Sequence, residues 1–173
     1  MQQSLVFTFI ANDKPGIVDK LSSTVARHQG NWLESRMTKL AGKFAGIVQI
    51  SLPAEQTDAL KAALTQLACD DVAILIDDIT QDQQSGDLQT LKLSILGLDR
   101  PGIVREVAQA LAAKQLNVSE MHSVIESAPM TGEPLFKAEA CLQAPANTQL
   151  DDLQDNLETI CAALDLEWSL ETL

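Results

Sequence analysis

Asp13-Lys14-Pro15-Gly16-Ile17-Val18 returns 86 residues later as Asp99-Arg100-Pro101-Gly102-Ile103-Val104. At the same displacement Asn31 falls on Asn117 and Glu34 on Glu120. Farther on, Phe44 matches Phe136 and Pro53-Ala54 matches Pro145-Ala146, now displaced by 92. The extra six residues lie in Ala128-Pro129-Met130-Thr131-Gly132-Glu133-Pro134, an insertion in the second copy. Matches in the same order with a single gap identify an internal duplication, and the fold of one copy then dictates that of the other.

Outward from the repeated motif, each copy carries one series of signals. Leu5–Ile10 is apolar and β-prone, and the Asp-Lys-Pro-Gly turn breaks it. Ile17, Leu21 and Val25 share a helical face, which Gly30 is expected to end. Strands over 31–40 and 44–52 follow, joined at Ala41-Gly42-Lys43. A second helix bears Leu60, Ala63, Leu64 and Leu67, and Val72–Ile76 closes the copy as a strand. The second copy reads as strand 91–98, helix 103–114, strands 117–126 and 135–142, a helix from Leu150 to Leu164 capped by Asn147, and strand 166–170. The order βαββαβ, twice, predicts an α+β chain of two tandem ferredoxin-like domains, antiparallel sheets with helices on one face. Domain one spans 1–80, a polar linker 81–90, and domain two 91–173. Strands such as Leu5–Ile10 and Val72–Ile76 are apolar at nearly every position, as strands buried on both faces would be. One helix layer covers one face of such a sheet. Domain packing and a homodimer are therefore expected to cover the rest.

Composition removes several classes of function. The 173 residues are 46% hydrophobic and 21% charged, within the range of folded domains. Acidic residues number 24 against 12 Lys+Arg, a net charge of −12, which opposes direct nucleic-acid binding and anionic membranes. With 3% aromatics there is little from which to build base-stacking platforms. No basic leader or ~20-residue apolar span is visible, and Cys69, Cys141 and Cys161 form no disulfide or metal pattern, so a cytoplasmic chain is expected. His28 and His122 lack metal-ligand spacing, and no phosphate-binding or nucleophile-elbow motif occurs. His28 is expected at a helix C-terminus and His122 on a strand near Asn117. Asp151, Asp152, Asp155 and Glu158 alternate with leucines as a solvated helix face, and Trp32 and Trp168 read as packing residues. Neither cofactor nor metal is expected.

The motif loop is where chemistry is to be sought. Gly16 and Gly102 allow backbone conformations or close approaches that a Cβ would block. A helix begins directly after each, with unpaired N–H groups and a positive dipole end suited to a small carboxylate. Asp13 or Asp99 can take an ammonium group or cap the helix, and Asn31 and Asn117 offer amide donors and acceptors. A free α-amino acid presents both groups. The same residues also make a good turn and helix start with no ligand at all.

A βαββαβ unit with Asp-x-Pro-Gly-Ile-Val after its first strand and Asn opening the second resembles an ACT domain. The resemblance covers nearly the whole chain and implies a regulatory, non-enzymatic pair of domains. It implies ligand-site residues Asn12, Asp13, Pro15, Gly16, Ile17 and Asn31 in copy one, and Asp99, Pro101, Gly102, Ile103 and Asn117 in copy two. A free-standing acidic ACT pair is similar to the family of glycine cleavage system transcriptional repressors. That likeness implies a small amino acid, glycine favoured, as effector, and a DNA-binding transcriptional activator as partner, with no direct nucleic-acid or membrane binding. An interaction-only module without a metabolite is the alternative.

Overall fold

The computed structural model describes residues 1–68, 72–78, 88–146 and 148–173. The chain divides into two compact units, Met1–Gln83 and Gln84–Leu173. Unit one runs β1 (Gln2–Asn12), α1 (Ile17–Arg27), β2 (Asn31–Leu40), β3 (Lys43–Pro53), α2 (Thr57–Leu67) and β4 (Val72–Asp78). Unit two repeats it as β5 (Leu88–Leu98), α3 (Ile103–Ala113), β6 (Asn117–Ser127), β7 (Pro134–Pro145), α4 (Leu150–Leu164) and β8 (Leu166–Thr172). Each sheet is antiparallel, in the orders β2-β3-β1-β4 and β6-β7-β5-β8. This is the ferredoxin-like plait.

One face of each sheet makes the core. In unit one Leu5, Phe7, Phe9, Val48, Ile50 and Leu52 alternate along β1 and β3 and pack with Leu21, Val25, Leu60 and Leu64 of the helices. Trp32 meets Phe7 edge to face, with ring centroids 6.2 Å apart. In unit two Leu91, Leu93, Leu142, Leu153, Leu157 and Cys161 do the same work, with Trp168 packed against them. Burial pushes the Cys161 thiol pKa up, which keeps it protonated and unreactive. The carboxylates of α4 lie exposed, as the sequence pattern requires.

Several details depart from the sequence reading. Strands expected to be buried on both faces are buried on one: Val6 and Thr8 are half-covered, and Ile10, Ile47 and Leu75 stand exposed. Ile47 and Leu75 flank Thr8 on this outer face of unit one. The equivalent face of unit two is charged, with Lys92 and Glu139 paired at 3.1 Å. Strand β5 begins at Leu88, three residues before the expected start. Gly30 does not supply the left-handed residue that ends α1. Gln29 does, at φ 57, and Gln115 repeats it at φ 58. Gly30 is instead held close, donating to the Val25 carbonyl at 2.9 Å, and a Cβ there would lie 2.6 Å from Val25 Cγ1. The second copy places buried Leu116 at this position. The N-cap of α4 is Gln149, and Asn147, expected to cap it, lies outside the described residues, as do Cys69 and 79–87.

The β2–β3 hairpin closes through a two-residue turn, Ala41-Gly42, at φ 49 and φ 77. Such a turn needs left-handed backbone at both positions, which asparagine tolerates better than alanine. Ala41→Asn is expected to stabilise the protein by about 0.5 kcal/mol, read as a raised urea midpoint at constant slope.

Candidate functional site

Each motif loop is a helix entrance held open by glycine. Gly16 has φ 93 and Gly102 φ 104, and each is the N-cap of the helix that follows. Around Gly16 a Cβ would meet nothing within 4 Å, and around Gly102 only Glu106 Oε1 at 3.6 Å. The left-handed backbone, and not a close approach, is therefore what demands glycine. Neither helix has a side-chain cap. Asp13 and Asp99, read as possible caps, do not fill that role, and the first-turn N–H groups of α1 and α3 stay without side-chain acceptors. The backbone N–H of Asp99 donates to the Pro134 carbonyl at 2.9 Å, so the 128–134 insertion begins its return strand against the motif loop. In unit one the tight turn does the same, Asp13 N–H donating to Gly42 O at 2.9 Å.

The second loop borders a cleft of about 520 Å³. Its walls are the loop residues Asp99, Arg100 and Gly102, the first turn of α3 from Ile103 to Arg105, Ser123–Ile125 of β6, and Phe136. One end thus offers unpaired backbone N–H groups and a helix dipole, with two guanidinium groups beside them, for a carboxylate. Asp99 forms no ion pair among the described residues, leaving an acceptor for an ammonium group. Val104, Val124, Ile125 and Phe136 supply apolar walls. The first loop is furnished differently. Asp13 is ion-paired with Lys39 of β2, and Lys43 Nζ donates to Asn12 Oδ1 at 2.6 Å.

Asn31 and Asn117 lie far from the loop of their own unit. Asn31 pairs with Ser51, which pairs with Ser4, whereas the motif follows Asn12. Eight residues of β1 separate the two levels, about 26 Å at ~3.3 Å per residue. Asn117 stands opposite Gln143 and so level with Thr90, equally far from Leu98. The helix between loop and strand carries the chain to the other end of the sheet. Pro15, Gly16, Ile17 and Pro101, Gly102, Ile103 stay together at the loop, while the asparagines do not join them.

Residues 3–75 match the family model of the ACT domain. The chain has a tandem ACT-type fold. A crystal structure of an unknown protein from Galdieria sulphuraria is 27% identical, with a TM-score of 0.88, covering 100% of this chain and 99% of its own. A crystal structure of a candidate glycine cleavage system transcriptional repressor is 19% identical, with a TM-score of 0.75, covering 100% of this chain and 98% of its own. At that identity it shares the fold. No curated protein matches the sequence.

Within the second unit, β6 supplies the cleft wall that motif reading missed. Ser123, Val124 and Ile125 carry no signal by type, and only the strand register sets them beside the loop. His122 points away from that role: it stands opposite Glu139 and does not line the cleft. His28 sits at the C-terminus of α1, its Nδ1 2.9 Å from the Thr24 carbonyl oxygen. Among the described residues there is no cluster of three potential metal ligands, and no helix is long and apolar enough to cross a membrane.

Proposed function

We propose that the protein is a non-enzymatic, amino-acid-responsive regulator, an accessory transcriptional repressor that acts on a DNA-binding activator with glycine or a similarly small amino acid as effector. The observation that carries this reading is the cleft at the second motif loop, where uncapped helix N–H groups and an unpaired Asp99 stand side by side. Those are the two halves of a zwitterion's recognition. The ACT family of residues 3–75 supports a regulatory role, and the fold shared with a candidate glycine cleavage repressor favours glycine. The exposed apolar residues Ile47 and Leu75 on the outer sheet face of unit one favour a homodimer as the working form, in which a second copy covers them. The net charge of −12 favours action through a protein partner, with no contact to DNA.

A thermal-unfolding panel against the common amino acids tests the reading. Glycine or a close analogue is expected to raise the midpoint in a dose-dependent way, with no turnover of any of them. Gel shifts at ~150 mM salt are expected to show no complex from the pure protein. No response to any amino acid would leave the interaction-only reading in its place.

A further inference from the structure

We infer that only the second ACT-type unit takes up the amino acid at full affinity, because two lysines of the first unit already occupy the acceptors of its own loop. This rests on the amino-acid reading above. A zwitterion needs a free acceptor for its ammonium group. In unit one both polar acceptors beside the loop are engaged: the Asp13 carboxylate by Lys39, and Asn12 Oδ1 by Lys43 at 2.6 Å. Sheet register fixes both lysines there, since Lys39 stands opposite Phe44 and Lys43 opposite Asn12. The two-residue turn between β2 and β3 leaves that hairpin end little freedom to withdraw them.

Unit two has the same register with different chemistry. Ile125 stands opposite Phe136, in the place of Lys39. Leu135 stands opposite Leu98, in the places of Lys43 and Asn12. Neither isoleucine nor leucine can donate to Asp99, and the cleft lies open beside it. Exposed ion pairs are individually weak, so the first loop is expected to lose affinity by roughly tenfold and not to be abolished.

Equilibrium dialysis of the full chain with radiolabelled glycine, and in parallel serine, counts the sites. The expected result is one tight site per chain, with any second at least about tenfold weaker. Asp99→Asn is expected to remove the tight site. Lys39→Ile with Lys43→Leu, which installs the second unit's residues in the first, is expected to give two sites of similar affinity. Two equal sites in the wild type, a tight site that survives Asp99→Asn, or a lysine variant that stays at one overturns the inference. No binding of either probe, to any of these proteins, removes the amino-acid reading itself and the inference with it.

Discussion

Gly102→Val is expected to cost about 1–3 kcal/mol of stability and to erase the tight, second-unit part of the response to amino acids. Gly102 has φ 104, and a β-branched side chain there must either accept the strain or rotate the backbone out of the left-handed region. Crowding contributes little, since the nearest atom to a Cβ is Glu106 Oε1 at 3.6 Å. Rotation would turn the first N–H groups of α3 away from the cleft that Gly102–Val104 line. In the wild type a ligand at a hundredfold excess over the Kd of the second site adds about 2.7 kcal/mol through that site, and the variant should lose this part and keep only the smaller contribution of the weaker first loop. Gly16→Val carries the same kind of strain at φ 93 and should lose similar stability, yet keep the shift. A Gly102→Val protein that still responds in full would separate the loop from ligand binding.

Phe7→Ala is expected to lower stability by about 3–5 kcal/mol, a large share of the 5–15 kcal/mol typical of a folded protein. Phe7 is 1% exposed, sits at the centre of β1 and meets the edge of Trp32. Removing its ring forfeits apolar burial, the aromatic pair and close packing against both helices. Val6→Ala, one residue earlier on the half-covered outer face, should cost under about 1 kcal/mol. Urea midpoints of the two variants check the assignment of faces. Equal losses would mean that β1 is buried on both sides.

These expectations draw unequally on sequence and structure. The duplication, the element order and the glycine-bearing loops are legible in the residues, because turn chemistry and apolar spacing are local properties. The end of α1 is less so: a glycine next to a helix is read as its left-handed stop, but Gln29 takes that conformation and Gly30 answers to contact with Val25. Continuous apolar runs overstate burial, since Leu75 is apolar and 65% exposed. The distance between Asn31 and its loop follows from topology, as α1 must return the chain to the start of the sheet. Least legible are the walls of the cleft. Ser123–Ile125 meet the loop only through the β6–β7 register, which spans an insertion with no counterpart in the first copy.

The central claim is that an amino acid binds at the uncapped N-terminus of α3. Nitrogen-15 amide spectra of the full chain titrated with glycine test it residue by residue. The account predicts saturable shifts that are largest at Gly102, Ile103 and Val104, with smaller ones at Ser123–Ile125. Shifts that leave these amides unmoved while others saturate would contradict it.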